Sequence, residues 1–127
     1  MTLLGKLSWL ALAGAVGTLA RFGLITLAES IIQKDYPWGT LAVNIVGCVL
    51  VGLLLGLAEE RLKIDPQVVT LLLIGFFGAF TTFSAFVLET IRLLEGSGWL
   101  LALRNVALHN VLGVAALFGG LKLGQIF

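Results

Sequence analysis

Long apolar runs make up nearly all of this chain, and they constrain its fold more than any other feature. A helix needs about 20 mostly apolar residues to cross the hydrocarbon core of a membrane. Four segments meet this requirement, at about residues 5–28, 39–58, 68–94 and 99–123. No connection between them is long enough to form a soluble domain. We therefore expect a single transmembrane domain over residues 1–127, whose function lies within the membrane.

The composition supports an all-α integral membrane fold rather than a soluble one. The chain is 59% hydrophobic and 12% charged, about half the charged fraction of an ordinary soluble domain. Its formal net charge of +1 provides no electrostatic footprint for nucleic acid. The single cysteine, Cys48, lies inside an apolar run, which excludes a disulfide framework and a cysteine-rich metal cluster. The first apolar run continues past any signal-peptide cleavage point, so we expect it to remain as a helix.

Positively charged residues are divided equally between the two sides of the predicted bundle. With four spans, one side holds Lys6, Arg61, Lys63 and Lys122. The other side holds Lys34, Arg92, Arg21 and Arg104. Cytoplasmic loops normally carry the excess of Lys and Arg. Since this tie provides no direction for insertion, we expect the chain to insert in both orientations. The alternative is a weak charge bias towards one orientation, hidden by the choice of helix boundaries.

The third apolar segment contains an unusual stretch at residues 75–86, with the sequence GFFGAFTTFSAF. Gly75 and Gly78 weaken a helix at membrane depth, and the hydroxyls of Thr81 and Thr82 can bond to carbonyls near a break. Non-helical backbone survives at this depth only where it is buried in protein or lines a wet cavity. We therefore predict a broken helix, whose exposed carbonyls suit a small cation such as Na⁺. A merely kinked packing helix is the alternative.

The phenylalanines of this stretch recur at every third position. The spacing of Phe80, Phe83 and Phe86 predicts three rings close together on one helical face. An aromatic ring edge carries positive potential and can interact favourably with an anion. An aromatic stripe is more often ordinary core, however, so the pattern alone does not identify an anion pathway.

The polar residues and paired glycines elsewhere in the apolar segments are explained by helix packing or by a functional role. Asn44 lies one turn into the second helix, where an interhelical hydrogen bond is the alternative to a functional role. Gly52 and Gly56 form a small-xxx-small pair typical of close helix packing. A lone histidine, His109, is too little for a metal site. No nucleophile–base constellation, HExxH motif or phosphate-binding loop is present in the sequence, so we expect no enzymatic activity.

Three motifs, at residues 17–22 (GTLARF), 39–47 (GTLAVNIVG) and 75–86, resemble those of the Fluc (CrcB) family of fluoride channels. They occur in family order, and the length and the four-span layout also match. The resemblance implies an antiparallel, dual-topology homodimer, which agrees with the equal division of charge. It also implies a multi-pass protein of the bacterial or archaeal cytoplasmic membrane, in contact with membrane lipid, that exports cytoplasmic fluoride by passive electrodiffusion.

The resemblance also implies roles for individual residues. Two fluoride pathways at the dimer interface would be lined by Asn44, Thr82, Phe83, Ser84, Phe86 and Asn110. Backbone carbonyls of Gly78 and Thr81 from both subunits would hold a central structural Na⁺. Arg21 would lie near the membrane edge, in a structural or anion-attracting role. Three positions lack the threonine, tyrosine or serine found in relatives: Ala85, Val106 and Val114.

Two alternatives come from other functional classes. An exporter resembling the small multidrug-resistance proteins would also have four helices and dual topology, but such exporters carry an essential glutamate inside the first helix. Here the first segment has none before Glu29 at its end, so Glu89, the only carboxylate well inside the third segment, would have to substitute. The other alternative is a noncatalytic membrane assembly subunit, in which a broken, hydroxyl-rich helix is not expected.

Overall fold

Four helical spans form the protein. The structure, a computed structural model, describes residues 1–32, 35–60 and 62–126, and all regular secondary structure in this part of the chain is helical. Four of its helices are long and apolar enough to cross a membrane: Leu3–Ile31, Trp38–Ala58, Pro66–Gly96 and Trp99–Ile126. The predicted all-α, four-span membrane fold is therefore confirmed.

The first and fourth helices extend beyond the apolar segments from which they were predicted. Helix α1 (Leu3–Ile31) begins after Thr2, whose Oγ1 accepts a hydrogen bond from the Gly5 N–H at 3.2 Å. Helix α6 (Trp99–Ile126) likewise runs past the predicted end at about residue 123. Hydropathy locates the part of a helix inside the membrane, whereas capping and backbone hydrogen bonds decide where the helix itself ends.

The third span follows α2 (Trp38–Glu60) and is assembled from four pieces. Its start is as the sequence predicts: Asp65 accepts a hydrogen bond from the Gln67 N–H at 2.7 Å, and Pro66 occupies the first turn. In chain order, the pieces are α3 (Pro66–Leu71), a π-helical segment (Leu72–Phe77), α4 (Gly78–Phe80) and α5 (Phe83–Gly96). The π-helical segment was not predicted.

Two extended residues separate α4 from α5. Thr81 has φ −82° and ψ 161°, and Thr82 has φ −150° and ψ 112°. These angles lie in the β region, so helical hydrogen bonding cannot continue through them. Thr82 Oγ1 then accepts from the Ala85 N–H at 3.3 Å and caps α5. The predicted break in the third helix is therefore confirmed.

Close packing of α2 against α6 depends on glycine from both helices. The closest contacts in this interface involve Gly52, Gly56, Gly120 and Gly124. A Cβ atom on Gly52 would overlap with the carbonyl oxygen of Leu117, and one on Gly120 would overlap with that of Val49. The two backbones are therefore in contact with no side chain between them, which confirms the packing role predicted for Gly52 and Gly56.

The remaining contacts pack the pieces of the third span against the other three helices. Helix α1 packs against the π-helical segment, α4 and α2, and α5 packs against α6. A Cβ atom on Gly17 of α1 would overlap with the carbonyl oxygen of Phe76, so α1 approaches the π-helical segment as closely as α2 approaches α6. The helical piece just before the break, α4, therefore packs against α1 and α2.

Candidate functional site

Asn44 of α2 bonds to the backbone at the break in the third span. Its Nδ2 donates to the carbonyl of Thr82 at 3.1 Å, and its Oδ1 accepts from the N–H of Thr82 at 2.8 Å. Unpaired backbone groups are costly at membrane depth, and this side chain supplies the acceptor that the Thr82 N–H needs. The Thr82 carbonyl, at the N-cap of α5, also accepts the first bond of that helix. Asn44 therefore makes the interhelical hydrogen bond that was the alternative to a functional role. Its amide nitrogen keeps a second hydrogen for another partner.

The break removes the helical donors of several backbone carbonyls, among them those of Gly78 and Thr81. In an unbroken helix the Thr82 N–H would donate to the carbonyl of Gly78, and the Ala85 N–H to that of Thr81. These two groups donate instead to Asn44 Oδ1 and Thr82 Oγ1. The described residues include no group of three or more His, Cys, Asp or Glu able to hold a metal ion. Because carbonyl oxygens are hard ligands, the Gly78 and Thr81 carbonyls fit Na⁺ by their chemistry.

A cavity of about 340 Å³ lies beside the break, between α2, α5 and α6. Its lining residues are Asn44, Cys48, Val51, Thr81, Thr82, Phe83, Phe86, His109, Asn110 and Leu117. Five of the six residues predicted for a fluoride pathway are among them. The exception is Ser84, whose Oγ lies 3.4 Å from Thr82 Oγ1. The lining combines neutral polar groups with aromatic rings, and none of its residues is Lys, Arg, Asp or Glu.

The aromatic rings are distributed differently from the predicted single stripe. Phe83 and Phe86 have ring centroids 5.6 Å apart, and the ring of His109 lies 4.4 Å from that of Phe86. Phe80, however, is buried and stacks on Phe76 at 5.6 Å. The prediction that all three phenylalanines share one face is wrong for Phe80, because the extended residues of the break interrupt the helical periodicity.

Asn110 and Arg21 differ in their position relative to the cavity. Asn110 lines the cavity, and its Nδ2 donates to the carbonyl of Val106 on its own helix at 2.8 Å. Arg21 lies half-buried on α1 and is not among the residues that line the cavity. The conduction and electrostatic roles assigned to these residues remain predictions.

A second cavity, of about 350 Å³, lies at the connection between α1 and α2. Its charged lining residues are Glu29, Asp35, Glu89 and Arg92. Thr40 Oγ1 donates to Glu89 Oε1 at 2.6 Å, and Glu89 Oε2 is buried without a hydrogen-bond partner in the described part of the chain. A neutral hydroxyl on α2 is thus the partner of this carboxyl group, and the sequence alone did not indicate it.

The sequence analysis also missed Asn105 of α6. Its side chain is fully buried and bonds to Tyr36 and Thr90. A signal was present, because a neutral polar residue inside an apolar span is the same feature that identified Asn44. The sequence analysis considered the neighbouring Val106, because it lacks the hydroxyl found in relatives, and passed over Asn105.

The comparison with known proteins covers nearly the whole chain. Residues 8–121 match the family described as CrcB-like protein, Camphor Resistance (CrcB). A protein of Solidesulfovibrio magneticus named fluoride-specific ion channel FluC is 48% identical over 124 residues, covering 98% of this chain and 99% of that protein. Proteins of the same name from Nitrosococcus oceani and Desulforapulum autotrophicum are each 46% identical over 121 residues, or 95% of this chain and 97% of theirs.

These relatives bear on three predictions. They are named as ion channels and not as enzymes, in agreement with the sequence analysis. The four spans and the family make the chain a multi-pass membrane protein, located in bacteria in the cytoplasmic membrane. The resemblance carried by residues 17–22, 39–47 and 75–86 is confirmed over the full length of the match. This chain belongs to the CrcB family.

Proposed function

We propose that this protein is a fluoride-selective channel through which cytoplasmic fluoride leaves the cell by passive electrodiffusion. The observation that carries the proposal is the cavity beside the break, where Asn44, Thr82 and Asn110 meet the rings of Phe83 and Phe86. The relatives named as fluoride-specific ion channels support the choice of ion.

The chemistry of the cavity suits a small, largely dehydrated anion. The free amide hydrogen of Asn44 and the hydroxyl of Thr82 are neutral donors that can replace water around the ion. The edges of Phe83 and Phe86 add weak electrostatic attraction. A Lys or Arg in the same position would bind the anion too tightly for rapid release. Neutral donors and ring edges therefore allow the ion both to enter and to leave.

We propose that the channel is an antiparallel homodimer whose subunits insert in opposite orientations. In one chain alone, the cavity opens on the surface, and Phe83 at its edge is 76% exposed. Polar groups such as those of Thr82 and Asn110 are costly against lipid, and a second copy would cover them. The equal division of Lys and Arg supports both orientations. Labelling of a C-terminal tag on only one side of the membrane would contradict the proposal.

We propose further that a structural Na⁺ lies at the centre of this dimer, held by the carbonyls of Gly78 and Thr81 from both subunits. The support is that both carbonyls lack their helical donors, and that Gly78 is exposed on the surface of the single chain. Such an ion supplies positive charge without a titratable side chain. Elemental analysis of purified dimers should find bound Na⁺, at one ion to two chains; dimers free of Na⁺ would exclude this role.

The function is tested by ion efflux from liposomes that contain the purified protein. Liposomes loaded with KF or with KCl are diluted into a potassium-free buffer, and valinomycin is added to release K⁺. We expect rapid fluoride efflux and retained chloride, because only fluoride is small enough to exchange its water for the donors of the cavity. Protein-free liposomes are the control. Verified, folded dimers that release no fluoride would exclude the channel function.

Replacement of Phe83 by isoleucine should reduce fluoride efflux while the dimer remains intact. The change removes the ring edge at the cavity but keeps an apolar side chain, so we expect a decrease of about two- to tenfold, the range for loss of one aromatic interaction. Phe22→Ile is a matched control, because Phe22 is 71% exposed on α1 and does not line the cavity. Equal efflux from both variants would remove Phe83 from the pathway.

A further inference from the structure

A chain of buried and partly buried hydrogen bonds runs from the α1–α2 connection to the backbone of Phe86. Tyr36 OH donates to Asn105 Oδ1 at 3.0 Å, and Asn105 Nδ2 donates to Thr90 Oγ1 at 2.9 Å. Thr90 Oγ1 then donates to the carbonyl of Phe86 at 2.7 Å. The donors and acceptors in this chain can be assigned in one way only, because an amide oxygen and a carbonyl only accept and an amide nitrogen only donates. Thr90 Oγ1 accepts from Asn105 and donates to Phe86.

The backbone carbonyl at position 105 holds the ring that packs on Phe86. His109 Nδ1 lies 3.0 Å from the backbone carbonyl of Asn105, so this nitrogen must carry the hydrogen. The imidazole is thereby fixed with its centroid 4.4 Å from the ring of Phe86. Phe86 is therefore restrained at two points, at its carbonyl through Thr90 and at its ring through His109.

The outer end of the chain of hydrogen bonds is anchored by aromatic and cationic contacts. The rings of Tyr36 and Trp38 lie 4.7 Å apart, and the Arg104 guanidinium lies 4.6 Å from the first and 5.3 Å from the second. Burial raises the pKa of Tyr36 above its ordinary value, against the opposing effect of Arg104 and with a smaller contribution from Glu89. The hydroxyl therefore stays protonated and remains a donor to Asn105.

General packing does not require these polar groups. Asn105 is 0% exposed, and an apolar side chain of similar size would fill its place in α6 without any hydrogen bond to satisfy. Hydrogen bonds between buried polar groups favour one arrangement of the elements they join. This network joins α6, α5 and the connection before α2, and it ends at the backbone carbonyl of Phe86, a residue that lines the cavity.

We propose that Asn105 and Thr90 are positioning residues that set the placement of Phe86 in the fluoride pathway, and thereby the rate at which fluoride passes each open channel. Neither residue is among those that line the cavity, so they act through Phe86 and not by contact with the ion. This inference rests on the proposed channel function and on the place of Phe86 in the pathway.

The experiment compares Thr90→Val with Thr90→Ser in planar bilayers. Valine keeps the shape of threonine and removes its hydroxyl, whereas serine keeps the hydroxyl. We expect Thr90→Val to lower the unitary fluoride current about two- to tenfold, the effect of losing one positioning hydrogen bond, and Thr90→Ser to keep the wild-type current. A wild-type unitary current in Thr90→Val would overturn the proposal, as would an equal decrease in both variants.

Unitary current separates positioning from a merely structural role. A structural role predicts fewer active channels, each with the wild-type current, and that outcome also overturns the proposal. Tyr36→Phe provides a second test if Thr90→Val does not fold, because it removes only the hydroxyl at the outer end and keeps the ring beside Trp38 and Arg104. We expect it to lower the unitary current in the same direction, and an unchanged current would contradict the inference.

A readout independent of conduction distinguishes failure of this inference from failure of the channel function. With 4-fluorophenylalanine in place of Phe86, the ¹⁹F NMR resonance reports the surroundings of the ring. We expect Thr90→Val to shift or split this resonance and Thr90→Ser to leave it unchanged. An unchanged resonance in Thr90→Val would exclude the positioning role, whereas a wild-type protein without fluoride current would exclude the channel function.

Discussion

Replacement of Asn44 by leucine should abolish fluoride efflux and strongly destabilise the folded protein. The variant removes the acceptor of the Thr82 N–H, which would then be unpaired at membrane depth, and one of the donors to the Thr82 carbonyl, which at the N-cap still accepts the first bond of α5. A buried polar group without a hydrogen bond costs about 1–3 kcal/mol. We therefore expect a stability loss of about that size, together with loss of the free amide hydrogen in the cavity.

The measurement is the apparent Tm of the purified protein in detergent, followed by size-exclusion chromatography of heated samples. Asn110→Leu is the matched control, because Asn110 is exposed and bonds only to the carbonyl of Val106 on its own helix. The control should keep a Tm close to wild type. A wild-type Tm in Asn44→Leu would show that the break is held together by other contacts.

Alanine at Gly120 and alanine at Gly119 should change stability in opposite directions. A Cβ atom at Gly120 would overlap with the carbonyl oxygen of Val49 and lie 3.0 Å from the nitrogen of Leu53. These are backbone atoms that cannot rotate away, so α2 and α6 must separate, at a cost of about 1–3 kcal/mol or more. At Gly119 nothing lies within 4 Å of such an atom, and alanine gains up to about 1 kcal/mol in helix propensity over glycine.

The two alanine variants share one chemical change and adjacent positions in the same helix. Apparent Tm should therefore fall for Gly120→Ala and stay equal or rise for Gly119→Ala. Because the α2–α6 contact is the largest in the chain, loss of monodisperse protein is also expected for Gly120→Ala. Equal Tm values for both variants would mean that the close approach of the two backbones contributes little to stability.

Features that depend on local sequence were predictable. Four spans follow from the length of the apolar runs, and the break follows from glycine and threonine at membrane depth in residues 75–86. The start of the third span followed from Asp65 and Pro66 for the same reason, since capping involves neighbours in the chain. Four of the five predicted pathway residues in the cavity come from the motifs at residues 39–47 and 75–86, whereas Asn110 lies on α6 outside the three motifs.

Features that depend on which helices meet were not predictable. The π-helical segment lies where α1 approaches the carbonyl of Phe76 through Gly17, and one sequence does not reveal that contact. The role of Asn105 depends on its hydrogen bonds to Tyr36 and Thr90, which are 69 and 15 residues away in the chain. The prediction that Phe80 shares a face with Phe83 and Phe86 was wrong because it assumed one continuous helix across Thr81 and Thr82, where a break was also predicted.

The hydrogen bonds between Asn44 and Thr82 mean that the shape of the third span is encoded in a different helix. The carboxamide of Asn44 presents a donor and an acceptor side by side, as a peptide group does, and so it substitutes for a missing turn of backbone. Since both bonds reach main-chain atoms, any residue with an N–H can occupy position 82 without losing them, and only proline cannot. The link between the two half-helices and α2 therefore survives a change of side chain at position 82, although the cap of α5 is lost with the threonine hydroxyl.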